Sequence, residues 1–215
     1  MSSARPAPAR RPNPLRKTSV RAAIALALFS IPALLIAGTT HADEMAVAID
    51  AAKKSAEGCD NCLFFALPTK NSMFSQHKLY FVSTLDRLPP PFWTVAMNRK
   101  KKAYLLQARE LGGWNGALKE APLKLTTDAQ LKDFAKAFLD LAVGRAIYLD
   151  DILPGEKNRI EKKMGKMPFS QLRIVRDKTR FRLQFFGKDV TGAVQLWDLI
   201  VEPTGHIVKA DVREF

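Results

Sequence analysis

Apolar positions recur along this chain with three different spacings, and each spacing predicts a different element. From Ala22 to Gly38 they are continuous (AAIALALFSIPALLIAG), as in a segment surrounded by apolar material on all sides. Between Thr127 and Gly144 they step by three and four. Leu131, Phe134, Phe138 and Leu141 then share one helical face, Thr127-x-x-Gln130 supplies a capping box at the start, and Gly144 supplies a stop. A shorter helical stretch is expected over Asp43–Glu57, closed by Lys53, Lys54 and Gly58. After Ser170 the spacing changes to two. Gln171–Arg176, Thr179–Phe186, Ala193–Glu202 and His206–Arg213 read as four strands. The turns at Asp177-Lys178, Gly187 to Gly192 and Pro203-Thr204-Gly205 are short, so neighbours should be antiparallel.

The middle of the chain is less regular. Leu63–Leu67 is a short apolar run. Lys78–Leu85, Phe92–Met97 and Ala103–Gln107 read as a β-meander, with Leu88-Pro89-Pro90-Pro91 as a stiff connector, since proline has no N–H to give a central strand. Asn98 to Lys101 is the expected hairpin turn, which makes the basic run Arg99–Lys102 a solvated tip. Leu111–Pro122, with three glycines and Trp114, reads as a loop. Ile147–Leu153 fits no single pattern. Pro154 suits the first turn of a short helix with Ile160 and Met164 inward and Gly165 at its end. Phe92-Trp93-Thr94-Val95-Ala96-Met97, a turn and a strand find an echo in Leu196-Trp197-Asp198-Leu199-Ile200-Val201, a turn and a strand; that succession is common in β-hairpins.

The N-terminus changes how charge should be read. Six basic residues and no acid precede the apolar run, and Thr40 and Ala42 stand at the −3 and −1 positions of a cut before Asp43. These are the parts of a secretory signal peptide over residues 1–42, so the protein is expected to be exported, as a periplasmic or secreted chain with no span left after cleavage. The net charge of +13 then falls to about +7, because the leader holds six cations. That balance favours anionic partners and falls short of a nucleic-acid-binding protein.

The only cysteines, Cys59 and Cys62, allow several chemistries. Leu63 stands where a c-type haem site needs His. A structural zinc needs four ligands, and His77 and His206, the histidines left after cleavage, are each alone in sequence. A thioredoxin-like pair belongs at a helix N-terminus, whereas this pair follows a helix C-terminus, whose dipole disfavours a thiolate. A small structural disulfide is the expected outcome.

No catalytic constellation, metal site or cofactor motif stands out. Asp150-Asp151 most simply solvates a loop. Period two on the last four strands segregates charge: Phe181, Leu183 and Phe185 oppose Arg180, Arg182 and Gln184, while Val208, Ala210 and Val212 oppose Lys209, Asp211 and Arg213. One sheet face should pack under the helices. The other should carry Arg173, Arg180, Arg182, Lys209 and Arg213, with Trp197 as a pocket or surface aromatic nearby. Asp198 on the same sheet needs a partner, and an arginine of that face is the expected one.

The expected fold class is α+β, helices packed on a curled antiparallel sheet. The expected division is residues 43–125, a helix plus meander, and 126–215, a helix pair plus four-stranded sheet, possibly within one domain. The order of elements over roughly 127–215 resembles the cystatin-like or NTF2-like layout, although no sequence motif carries that resemblance. The function expected is a non-enzymatic binding module for an anionic envelope polymer or an acidic protein, using the arginine face. A small enzyme with a pocket under the sheet, using Asp198 or His206, and a thiol-disulfide protein using Cys59 and Cys62, are the alternatives.

Overall fold

The computed structural model describes residues 41–56, 58–59, 61–87, 90–148 and 172–214, with 155, 158 and 162. Residues 1–40 of the expected leader, Asp150-Asp151, Pro154, Ile160, Met164 and Gly165 lie outside the described residues, as do Leu88 and Pro89 of the proline connector. Glu44–Phe215 form one compact unit.

Helix α1 runs through residues 41–53. Ala48 and Ala52, four apart, are fully buried on one face, which brings the helix close to the sheet beneath. Glu44 anchors it: its carboxylate accepts from the Lys78 ammonium at 2.6 and 2.8 Å and from the Tyr80 hydroxyl at 2.8 Å. The sheet is a four-stranded antiparallel meander of β1 (Phe64–Thr69), β2 (Lys78–Thr84), β3 (Phe92–Met97) and β4 (Ala103–Leu106), paired in that order. Pro68 sits in β1, an edge strand, where its missing N–H is tolerated. Both faces of the sheet are covered. Tyr80, Val82, Trp93, Val95 and Met97 pack toward α1, while Leu79, Ala96, Tyr104 and Leu106 alternate to the other side and join the main core.

The stretch expected to be a loop is instead helix α2 (Leu111–Glu120). Its glycines are demanded by packing rather than by turns. A Cβ on Gly113 would lie 1.8 Å from the Leu105 carbonyl oxygen, and one on Gly116 would lie 2.9 Å from the Tyr104 ring. The helix lies so close to β4 that only hydrogen fits. Glycine costs helix propensity, and this contact offsets it. On its other side α2 is latched to the end of the chain. Asn115 donates to the Ile207 carbonyl at 2.9 Å and accepts from the Ile207 N–H at 2.8 Å, and the Trp114 indole N–H donates to the Gly205 carbonyl at 3.3 Å.

Helix α3 (Asp128–Leu141) starts with the capping box formed by Thr127 and Gln130. Leu131, Phe134, Phe138 and Leu141 are all buried, as their spacing predicts. The helix ends at Leu141 with Ala142 as its C-cap, and the chain then turns away through left-handed backbone at Gly144 and Arg145 (φ +87° and +65°), the conformation that favours glycine after a helix. Ile147–Tyr148, left open by the sequence pattern, is strand β5. It shares one edge of β7 (Phe181–Lys188) with β6 (Arg173–Arg176): β5 pairs Gly187 and Lys188, and β6 pairs Phe181 to Gln184. β8 (Val194–Val201) and β9 (Ile207–Glu214) follow, giving a second antiparallel sheet. The architecture is thus α+β with two antiparallel sheets, neither closed into a barrel.

The main core lies between the second sheet, α2, α3 and the far face of the first sheet. Trp114 is its hub, edge-on to Phe74, Phe134 and Phe138 at 5.0, 5.5 and 5.6 Å. Trp197 packs edge-on against Phe138 at 5.2 Å. The sequence echo has a topological counterpart. Trp93 on β3 packs in the cluster that holds Ala48 and Ala52 of α1, and Trp197 on β8 faces α3, so each tryptophan strand packs toward the helix that precedes its meander.

Candidate functional site

The arginine-bearing face is the side of the second sheet that faces away from α3. Register places Arg173, Gln184, Asp198 and Asp211 in one row across β6, β7, β8 and β9. Val175, Arg182, Ile200 and Lys209 form the next row. Phe186, Leu196 and Arg213 form a third. All these residues share the face because side chains alternate with period two and the register is in phase.

Two of the four cations in these rows, Arg182 and Lys209, have acidic partners. Arg182 donates to Asp198 from Nε at 2.9 and 3.1 Å and from Nη2 at 2.5 Å, the bidentate pairing that suits a planar guanidinium. Gln184 donates to the same carboxylate at 2.9 Å. Arg182 holds the Asp198 carboxyl below the usual carboxylate range, against its partial burial and with help from Gln184. The need for this is plain from the register, since Asp198 stands directly opposite Asp211 and like charges there repel. Lys209 pairs with Asp211, and Arg180, just before β7, lies 3.8 Å from Glu202. Arg173 and Arg213 are exposed and form no ion pair among the described residues. Aliphatic side chains lie in the rows on either side of the Arg173–Asp211 row: Val175, 46 % exposed, and Ile200 on one side and Leu196 on the other, the last two half-buried. The face is a lattice of both charge signs with a polar central row, aliphatic patches flanking it and one of these two arginines on each outer strand.

Trp197 is not part of it. The same alternation that puts Leu196, Asp198 and Ile200 outward turns Trp197 inward, where it is 4 % exposed in the main core. This corrects its expected place at a pocket or surface. The volume under the sheet is occupied by Leu183, Phe185, Trp197 and Leu199 against Phe138. His206 is exposed on the β8–β9 turn, beside a groove of about 370 Å³ that it lines with Glu202, Asn115 and Lys119.

Cys59 and Cys62 form a disulfide. It follows α1 and precedes β1, and two side chains of the β2–β3 link hold the loop. Arg87 donates to the Gly58 carbonyl at 2.6 Å, and Asp86 accepts from the Leu63 N–H at 2.5 Å.

A second polar group went unread in the sequence. His77, Tyr104 and Glu120 come together from the end of the β1–β2 link, β4 and the last turn of α2. They stand beside the basic β3–β4 turn and a cavity of about 490 Å³. The residues are 16 or more positions apart, on elements whose packing depends on α2 being a helix, so no local pattern announces them. The orphaned position of His77 in sequence was the one available signal.

No group of His, Cys, Asp or Glu among the described residues is arranged to hold a metal ion, and no described helix is long and apolar enough to cross a membrane. No protein family, curated protein or solved structure matches the chain.

Proposed function

We propose that the protein is exported and acts as a non-enzymatic interaction module, docking a partner protein with an acidic surface on the outer face of the β6–β9 sheet. The observation that carries this reading is the placement of Arg173 and Arg213. Three inter-strand steps of about 4.8 Å and one two-residue step along a strand separate them by roughly 16 Å. No single phosphate or carboxylate spans that distance, whereas a macromolecular surface does. The interleaved ion pairs and the aliphatic side chains among them, Val175, Leu196 and Ile200, fit a protein surface better than a polyanion groove. A polyanion site carries one sign of charge, whereas this face mixes both signs with apolar area. Export is supported by the leader pattern and by the Cys59–Cys62 disulfide, since disulfides persist outside the cytosol. The helix-then-meander order over 127–215 resembles the cystatin-like or NTF2-like layout.

The test compares the chain from Asp43 with its Arg173→Glu/Arg213→Glu variant. Both side chains are exposed, so the fold should tolerate the change. Retention on an immobilised envelope protein fraction should fall at least tenfold in the variant and weaken with salt. Equal retention of both proteins would refute the reading. Charge-dependent binding to purified lipopolysaccharide, with none to protein, would refute the protein partner and transfer the face to an anionic polymer.

A further inference from the structure

The β3–β4 turn is more ordered than a solvated hairpin tip needs to be. The Asn98 side-chain oxygen accepts from the Lys100 and Lys102 N–H groups, both at 2.9 Å. Its amide donates to Glu120 at 2.8 Å. One side chain therefore fixes the turn and fastens it to the end of α2. Lys101 completes the turn in left-handed backbone (φ +59°). Glu120 also accepts from the Tyr104 hydroxyl and lies 3.9 Å from Lys102, and the Tyr104 and Asn98 bonds hold its carboxyl below the usual range. Asn98 and Lys102 thus already serve the negative end of α2. Arg99 and Lys100 are exposed and make no ion pair among the described residues. They line the 490 Å³ cavity together with Gln76, His77, Asn98 and Glu120.

His77 is the anomaly in this cavity. Both ring nitrogens are buried and neither has a hydrogen-bond partner among the described residues. The ring sits edge-on between Phe74 at 6.0 Å and Tyr104 at 6.1 Å. A buried imidazole normally finds at least one partner, and an unmet one costs stability. Here it forms part of the wall of a cavity whose rim carries two uncommitted cations.

We propose that this cavity binds a small phosphate monoester, its phosphate held by Arg99 and Lys100 beside the His77 ring. Two cations match a group that carries about −1.5 to −2 charge near pH 7 and three strong acceptor oxygens. Arginine suits it through its planar fork and lysine as a point charge. The volume lies within the range of roughly 300–1,000 Å³ of small-molecule sites and exceeds what the phosphate alone fills, so the esterified body occupies the rest. The His77 nitrogens are closed off from solvent, so a phosphate on Arg99 and Lys100 acts on the ring through its charge.

This site is separate from the sheet face described above. It also makes a distinct pH prediction. Burial pushes the His77 imidazole down, with Glu120 pulling it back up. The charged and titratable groups around it are Glu120 from α2, Tyr104 from β4, and Arg99, Lys100 and Lys102 from the turn. Lys78, next in sequence, is committed to Glu44 on the opposite face. A bound phosphate adds negative charge beside the ring and raises its proton affinity, so the His77 midpoint is higher in the bound protein than in the free one.

The experiment is an NMR titration of the His77 ring resonances in the chain from Asp43. The probes are glycerol 3-phosphate and inorganic phosphate, with sodium chloride at matched ionic strength. Glycerol 3-phosphate should shift the resonances saturably, raise the His77 midpoint, and bind more tightly than inorganic phosphate. An Arg99→Ser/Lys100→Ser variant, altered only at exposed turn positions, should keep the remaining spectrum and lose at least tenfold in affinity. A response no different from chloride, or saturation undiminished in the variant, overturns the site. Inorganic phosphate binding as tightly as the ester overturns the assignment to a monoester.

Discussion

Replacing Asn115 tests the join between α2 and the end of the chain. The wild-type amide makes two hydrogen bonds of opposite sense to one residue, donating to the Ile207 carbonyl and accepting from its N–H. Ile207 is 1 % exposed, so water cannot readily replace either bond. Asn115→Ala leaves a buried donor and a buried acceptor unmet, at about 1 kcal/mol or more each. The expected loss is about 2–3 kcal/mol, or roughly 4–12 °C in Tm for a domain of this size. Asn115→Asp is the sharper variant. Its ionised carboxylate still accepts from the N–H but faces the carbonyl with a second acceptor, so at pH 7 it should be no better than alanine. The carboxyl disfavours ionisation in that position, and its folded pKa is therefore raised. Stability tied to a raised pKa is present below the unfolded value of about 3.9 and is lost as pH rises through the folded one. Urea unfolding at pH 7 and pH 4, each against wild type at the same pH, should show the aspartate deficit shrinking at pH 4 while the alanine deficit stays. A deficit for aspartate that does not change with pH, or an alanine loss below about 0.5 kcal/mol, would refute the two-bond latch.

Three further perturbations have defined outcomes. Gly113→Ala should destabilise by about 3 kcal/mol or more, because its Cβ meets backbone that cannot yield; Gly112→Ala, with open space around it, should instead stabilise by about 0.5–1 kcal/mol, and thermal melts of the pair decide it. Asp198→Asn should cost only about 1 kcal/mol at pH 7, since it loses a half-exposed ion pair but relieves the repulsion from Asp211; as the wild-type carboxyl has a lowered pKa, its contribution is complete above about pH 4 and lost as pH falls below it, so the two proteins should converge in acid unfolding. Cys59→Ser/Cys62→Ser should cost under about 2 kcal/mol, because so short a loop constrains the unfolded chain little, and denaturant unfolding would show a larger loss if the staple also ordered α1.

What the sequence disclosed depended on whether the signal was local. Helix α3 was legible because its cap, its apolar stripe and its glycine stop all lie within one short segment. The last four strands were legible because period two fixes the faces. That same alternation is why Asp198 could be matched to an arginine before its partner was known to be Arg182. Helix α2 was not legible, since Gly112, Gly113 and Gly116 carry a loop composition, and the reason for two of them is a strand backbone and a tyrosine ring that packing alone brings near. Trp197 was misplaced because β8 is apolar on both faces, and period two says which residues share a side without saying which side is in. The His77 cavity was hidden for a further reason: it is assembled from a link, a turn and a helix end.

The most direct test of the sheet face is site-specific photo-crosslinking in cells that produce the protein, with the probe residue at Val175 and a control at Asp133 on the exposed side of α3. A discrete protein adduct is expected from Val175, absent from Asp133, and lost when Arg173 and Arg213 are both changed to glutamate. Adducts that form equally at both positions, or that survive the charge reversal, would contradict the assignment of this face as the place where the protein meets its partner.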